Sequence, residues 1–154
     1  MTDQLELDNF KVFPKHTGVW EGTWIILDAN CQEKKRFTAV LTQKIVNNQW
    51  VQTNVQNYAD GQSETQSFLG TVVGPGEISI ESTEEIFANF TTLAKEHDDR
   101  IIIFQLWDKS TGKLKAVETI NLISDTERIR TTQSFNSDDG SLKGIMVITE
   151  EKTG

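Results

Sequence analysis

A lone carboxylate is the first feature of this chain that could do chemistry. Glu118 shares one face of a strand-like segment with apolar residues only, namely Leu114, Ala116, Ile120 and Leu122. Such a carboxylate must be paired, hydrated or protonated. Arg128 and Arg130 lie on one face of the next segment, and arginine binds carboxylates and stacks on indole rings. The pattern allows an internal ion pair with Glu118, or an inward-facing Ile129 that leaves both arginines in solvent.

A row of amides is the second such feature. One face of the segment 50–58 carries Trp50, Gln52, Asn54, Gln56 and Tyr58. In a solid core each unpaired amide would cost about 1–3 kcal/mol. The row therefore faces either a ligand cavity or the outer solvent, and the pattern allows both.

The sequence gives little support for a metal site or a catalytic nucleophile. The two histidines, His16 and His97, have no cysteine or carboxylate at ligand spacing, so we expect no metal site, and we expect no cofactor. His97 stands in a charged turn, and His16 precedes the first strand, where it could cap the barrel base or lie by the mouth. Known catalytic motifs are absent. An enzyme stays open, since proton transfer in an apolar cavity needs only one or two polar groups.

Composition limits the class of protein. The chain has 154 residues, 36% of them hydrophobic and 25% charged, which indicates a single soluble globular domain over residues 1–154. A net charge of −8 disfavours nucleic acid and anionic membranes as partners. The sequence contains no apolar run long enough for a membrane span and no secretion signal, and its one cysteine is Cys31. We therefore expect a cytoplasmic protein, with a homodimer left open.

Turn residues recur along the chain and separate segments of roughly eight to twelve residues. This spacing predicts an all-β fold, an antiparallel up-and-down barrel of about 8–10 strands. A sandwich is the alternative, but a closed barrel removes the hazardous edges of the long strands. The stretch from Thr83 to Glu96 has the least clear pattern. Before the first strand, Leu7, Phe10 and Phe13 would share one side of a short helix that caps the barrel.

The first strand carries the sequence His16-Thr17-Gly18-Val19-Trp20-Glu21-Gly22-Thr23-Trp24. Trp20, Gly22 and Trp24 share one face, and the glycine would leave room there for a large group. The Gly-x-Trp at its start resembles the lipocalin/calycin signature. Together with the segments 128–135 and 139–144, it makes the chain similar to the lipocalin-like family of unknown function common in cyanobacterial proteins.

The resemblance implies that Gly18 and Trp20 close one end of the barrel and that Arg128 or Arg130 packs on Trp20. It supplies no ligand. Fatty-acid-binding relatives end in an Arg-x-Tyr pair, whereas this chain has two arginines at that spacing. Haem-binding relatives use a late histidine, and none follows His97.

Three functions are compatible with these patterns. The leading hypothesis is a protein that binds an apolar or amphipathic small molecule in the barrel cavity. Its ligand-binding residues would be the following: Trp24, Gln52, Tyr58, Glu118 and Arg130. The alternative is an isomerase, cyclase or chromophore lyase that acts on a hydrophobic substrate, with Glu118 as the catalytic acid or base. A third hypothesis is an interaction module with a filled core.

Overall fold

Ten β-strands and two short 3-10 helices are the regular elements of the part of the chain that the structure describes. The computed structural model describes residues 5–82, 84 and 88–154. The helices span Leu7–Asn9 and Phe13–His16, and the strands are β1 (Gly18–Asp28), β2 (Glu33–Val46), β3 (Gln49–Asn57), β4 (Ser63–Gly74), β5 (Glu77–Ser82), β6 (Phe90–His97), β7 (Ile101–Asp108), β8 (Leu114–Leu122), β9 (Glu127–Phe135) and β10 (Leu142–Lys152). The stretch from Thr83 to Glu96 lies partly outside the described residues, and its second half forms most of β6.

The strands form one closed barrel. Each strand pairs antiparallel with the next along the chain, and β1 pairs with β10 from Trp20–Lys152 to Asp28–Gly144. This closure confirms the predicted all-β up-and-down barrel and excludes the sandwich. It leaves no unpaired edge at the first and last strands, where an edge would invite association. Among the described residues, no helix is long and apolar enough to span a membrane.

Gly22 has a different role from the one its position suggested. A Cβ atom built on this residue would lie 1.9 Å from the carbonyl oxygen of Thr149 and 2.7 Å from Cγ of Glu150. The space between Trp20 and Trp24 is therefore occupied by β10 and not by a ligand. A glycine is required here because β1 and β10 approach each other closely.

The N-terminal segment closes one end of the barrel. Leu7, Val12 and Phe13 are fully buried, and Phe13 packs edge-on against Trp50 at 5.7 Å between ring centroids. Two 3-10 helices stand in place of the single predicted helix. The backbone N–H groups of residues 11–13 donate to the carboxylate of Glu96 instead of to carbonyls one turn earlier.

The turn between β2 and β3 also holds this segment. Asn47 and Asn48 both have positive φ angles, of 50° and 62°, which is the geometry of a tight two-residue hairpin. The side chain of Asn48 accepts a hydrogen bond from the backbone N–H of Leu7 at 2.6 Å. The hairpin and Glu96 thus fix the segment from two sides.

We expect Glu96→Gln to loosen the closed end of the barrel. The Glu96 carboxylate accepts hydrogen bonds from the backbone N–H groups of residues 11–13 at 2.7–3.1 Å. The glutamine side chain would turn one N–H group of its own towards these donors. The free energy of unfolding should fall by about 1–3 kcal/mol, and amide exchange at residues 11–13 should accelerate. Glu127→Gln is the control, because the Glu127 side chain is exposed and has no ion pair or hydrogen bond within the described residues. Unchanged exchange at residues 11–13 in Glu96→Gln would show that Glu96 does not anchor the segment.

Candidate functional site

The barrel interior contains a cavity of about 570 Å³. It extends from the middle of the barrel towards the end opposite the N-terminal segment. Much of its surface is apolar and comes from most of the strands: Trp24, Phe68, Ile80, Phe90, Phe104, Leu106, Ala116 and Met146. Two groups of polar residues interrupt this apolar surface.

Seven of the polar lining residues form two walls; the other polar residues of the lining are Glu81, Ser82, Thr92 and Lys109. The amide wall consists of Gln52, Asn54 and Gln56 on β3 with Gln66 on β4. The charged wall consists of Glu118 on β8 with Arg130 and Thr132 on β9. In the closed order of ten strands, β3 and β8 are five positions apart, so the walls lie on opposite sides of the cavity. A molecule in the cavity would therefore meet amides on one side and an ion pair on the other.

Arg130 connects the charged wall to the base of the barrel. Its Nε atom donates to Glu118 Oε2 at 3.0 Å and its Nη2 atom to Glu118 Oε1 at 3.2 Å, a bidentate ion pair. Thr132 Oγ1 also donates to Glu118 Oε1, at 2.9 Å. The Arg130 guanidinium lies 5.1 Å from the centre of the Trp24 ring. Trp24 and Glu118 thus hold Arg130 in one orientation at the cavity surface.

Arg128 organises the base of the barrel. Its guanidinium lies 4.1 Å from the Trp20 ring centroid, and Nε donates to Glu150 Oε1 at 2.7 Å. Its Nη1 atom contacts Oε1 of Gln43 at 2.8 Å and Nδ1 of His16 at 2.9 Å. We call these five buried residues, Arg128, Trp20, Glu150, Gln43 and His16, the base cluster.

Charges in the interior balance. Two arginines face two carboxylates, and Arg130 Nη1 also lies 3.4 Å from Glu150. Burial alone would raise the pKa of Glu150, but Arg130 and Arg128 outweigh it and hold that pKa below its ordinary value. Burial lowers the pKa of Arg128 to about 10, which still leaves it protonated at neutral pH. The interior therefore contains ionised pairs, whose members are costly to remove singly.

His16 is neutral in the base cluster. Burial, followed by the charges of Arg128 and Arg130, lowers the pKa of His16 to about 2. Because a guanidinium only donates, Nδ1 must accept from Arg128 and the ring proton must sit on Nε2. No acceptor for Nε2 exists among the described residues.

We expect the stability of the protein to fall as the pH drops from 6.5 towards 4.5. Unfolded His16 takes up a proton near its ordinary pKa of 6.5, whereas folded His16 does not. The unfolded state therefore binds more protons, and the free energy of unfolding should decrease by up to about 1.4 kcal/mol per pH unit from this group. Denaturant titrations at several pH values measure this slope.

His16→Asn should flatten that slope, since an amide oxygen can accept from Arg128 without titrating. His97→Gln is the matched control, because His97 is exposed at the end of β6 and should leave the slope unchanged. Equal slopes in the wild type and His16→Asn would show that His16 does not govern stability in this range.

The structure brings most of the predicted ligand-binding residues together. Trp24, Gln52, Glu118 and Arg130 all line the cavity. Tyr58 does not belong to the described cavity lining; it packs on Phe37 with 5.1 Å between ring centroids, under the ammonium group of Lys35 at 4.1 Å. The amide row faces inward, which decides between the two orientations that the sequence allowed.

Both arginines also face inward. Arg128 is 1% and Arg130 7% exposed, while Ile129 is 39% exposed. The common outward orientation of charged strand residues is thus wrong for this strand, because Glu118 and Glu150 compensate both charges inside. Arg128 lies on Trp20, and β1 begins at Gly18, which has a φ of 131°.

Sequence reasoning missed Glu150 and Gln43. Each stands in a strand with period-two apolar neighbours, Ile148 before Glu150 and Leu41 before Gln43. The same test that singled out Glu118, a polar residue on an apolar face, would have found both. Of the two places that the sequence allows for His16, the structure shows the barrel base, where the residue contacts Arg128.

Together, the fold and the site define a closed ten-stranded antiparallel barrel with a polar-walled internal cavity. A family model described as domain of unknown function (DUF3598), N-terminal, matches residues 6–154. The chain belongs to this family, which confirms the resemblance found in the sequence. No curated protein matches the chain.

Solved structures share the barrel at low sequence identity. A DUF3598 protein of unknown function from Nostoc punctiforme is 15% identical with a TM-score of 0.64 over 92% of this chain; the match spans 49% of that protein, so this chain is about half its length. The S-type phycobiliprotein lyase CPES from Guillardia theta is 8% identical with a TM-score of 0.72, covering 98% of this chain and 94% of that one. Rv2717c from M. tuberculosis is 12% identical with a TM-score of 0.63, covering 91% and 94%. These likenesses establish the fold.

Proposed function

We propose that the barrel binds one apolar or amphipathic small molecule in its cavity. The observation that carries this proposal is the cavity of about 570 Å³, whose surface is largely apolar with two polar walls. Small-molecule sites have volumes of roughly 300–1,000 Å³ and combine apolar linings with a few polar groups. An interaction module with a filled core would not need this space.

The apolar surface would supply most of the binding free energy. Trp24, Phe68 and Phe104 offer aromatic contacts on three sides of the cavity, and burying apolar ligand surface contributes about 25 cal/mol per Å². Gln52 and Arg130 would fix the orientation of the ligand. Charge balance within the cavity argues against a ligand with a high net charge, since Arg130 is already compensated by Glu118 and Glu150.

We expect Ala116→Phe to weaken binding of an amphipathic fluorescent probe such as 1-anilinonaphthalene-8-sulfonate. Ala116 lines the cavity, and a phenyl ring there occupies space that a ligand needs. The dissociation constant should rise by about tenfold or more, which corresponds to about 1.4 kcal/mol. Val117→Phe adds the same ring to the other face of β8 and serves as the control. Native mass spectrometry of the protein purified from its source then identifies a bound molecule. Equal probe binding in both variants and the wild type would place the probe outside the cavity.

A second candidate function is an enzyme in the same cavity, an isomerase, cyclase or chromophore lyase. One specific observation favours it: Glu118 is a carboxylate at the cavity surface, held by two hydrogen bonds from Arg130 and one from Thr132. A group held in this way can accept a proton from a bound substrate. A structural neighbour named as a phycobiliprotein lyase supports an enzymatic use of this barrel.

Glu118→Gln separates the two functions. The amide keeps the shape of the side chain but removes the proton acceptor. If the protein is an enzyme, conversion of the molecule found by mass spectrometry should fall by about 100-fold or more, while its dissociation constant changes little. Thr132→Val is the control, because it removes one hydrogen bond to Glu118 and leaves the carboxylate. If the wild-type protein binds the molecule but does not convert it, the enzymatic function is wrong and the binding function stands. The cytoplasmic location and the homodimer stay predictions.

A further inference from the structure

We propose that Asn54 selects and orients the ligand by donating a hydrogen bond to an acceptor on it, a carbonyl or carboxylate oxygen. This inference rests on the proposed binding function and deepens it, because it names the chemical group that the ligand must carry. It follows from a relay of side-chain amides whose direction is fixed by two groups that can only donate.

The relay starts at Arg128. A guanidinium has five N–H donors and no acceptor, so the Gln43 atom that lies 2.8 Å from Arg128 Nη1 must be its oxygen. The amide nitrogen of Gln43 therefore points the other way. It donates to Oε1 of Gln52 at 2.9 Å.

Trp50 fixes the next amide independently. The indole N–H is a donor only, and Trp50 Nε1 lies 3.0 Å from the same Oε1 atom of Gln52. Two donors thus meet one oxygen, and a rotated Gln52 amide would face both with N–H groups. Gln52 Nε2 must then donate onward, to Oδ1 of Asn54 at 2.9 Å.

Asn54 is where the relay ends. Its oxygen is used by Gln52, so its Nδ2 group is left as a donor, and it has no acceptor among the described residues. Asn54 is 4% exposed and lines the cavity. Its Nδ2 atom is not one of the fully enclosed, unpartnered side-chain atoms, so it is accessible from the cavity. A ligand that displaces solvent there must supply an acceptor, because an unsatisfied donor is costly. An acceptor on a bound molecule satisfies it, whereas a second donor or a purely apolar group does not.

The rest of the amide wall lacks this fixed direction. Gln56 pairs with Gln66 at 3.3 Å and with the Tyr58 hydroxyl at 2.6 Å. Because a hydroxyl both donates and accepts, and because it also contacts Glu64, the pair can exist with either amide orientation. Gln56 and Gln66 can therefore adapt to a ligand, while Asn54 imposes one requirement on it.

The test uses two probes that differ in one acceptor. The first is 6-propionyl-2-dimethylaminonaphthalene, whose ketone accepts hydrogen bonds, and the second is 2-dimethylaminonaphthalene, the same ring system without the ketone. Each is titrated into the wild-type protein, Asn54→Leu and Thr92→Val. Thr92→Val is the matched control because it removes a polar group from another part of the cavity lining.

We expect Asn54→Leu to weaken binding of the ketone by about tenfold, the loss of one hydrogen bond, and to leave the binding of the parent ring unchanged within about twofold. Thr92→Val should change neither. The ketone stretching band of the bound probe should shift to higher frequency in Asn54→Leu, a signature that a loss of packing alone would not produce. If Asn54→Leu does not fold, Asn54→Asp still accepts from Gln52 but presents an oxygen to the cavity. At pH 8 it should weaken ketone binding at least as much.

The outcomes separate this inference from the function it rests on. Equal loss of both probes in Asn54→Leu, or no loss of the ketone, would overturn the role of Asn54 and leave the binding function standing. If neither probe binds the wild-type protein, both the binding function and the role of Asn54 are wrong.

Discussion

The structure depends on the burial of one guanidinium, that of Arg128. Its charge is compensated by Glu150 at 2.7 Å, its face is covered by Trp20, and its Nη1 atom donates to Gln43 and His16. An uncompensated charge at this depth would cost several kcal/mol. Five separate parts of the chain, the N-terminal segment, β1, β2, β9 and β10, must therefore meet around Arg128 for the barrel to be stable.

The base cluster also determines the character of the cavity above it. Glu150 is shared between Arg128 and Arg130, so the ion pair at the base continues into the charged wall. Gln43 accepts a hydrogen bond from Arg128 and donates one to Gln52 on β3, so it connects Arg128 to the amide wall. The residues that stabilise the closed end and those that would contact a ligand thus form one connected network, and substitutions in one part are expected to be non-additive with those in the other.

Much of the fold could be predicted from the sequence, because period-two patterning and turn residues depend on local physics. The inward face of β1 and the Gly-x-Trp signature are features that such local patterns predict. The orientation of Arg128 and Arg130 could not be, since it depends on Glu150 and Glu118, which become neighbours only when β9 pairs with β8 and β10. The two 3-10 helices were missed for the same reason: Glu96, from a distant strand, takes the backbone donors that an α-helix would use. Asn54 belongs to the predicted amide row, but the sequence does not show that its Nδ2 group lacks an acceptor. This follows only from the hydrogen bonds that fix the orientation of Gln52 in the structure.

The pairing of β1 with β10 has a consequence for how the molecule folds. Nine of the ten strand pairings join neighbours along the chain and can form as local hairpins, whereas this last one joins the ends of the sheet. His16 and Arg128, which meet beside it, are 112 positions apart. Contacts of such separation carry a large loop-closure entropy and slow folding. The cavity is enclosed only once this seam has formed, so the ability to hold a ligand should emerge in the last step of folding rather than gradually along the way.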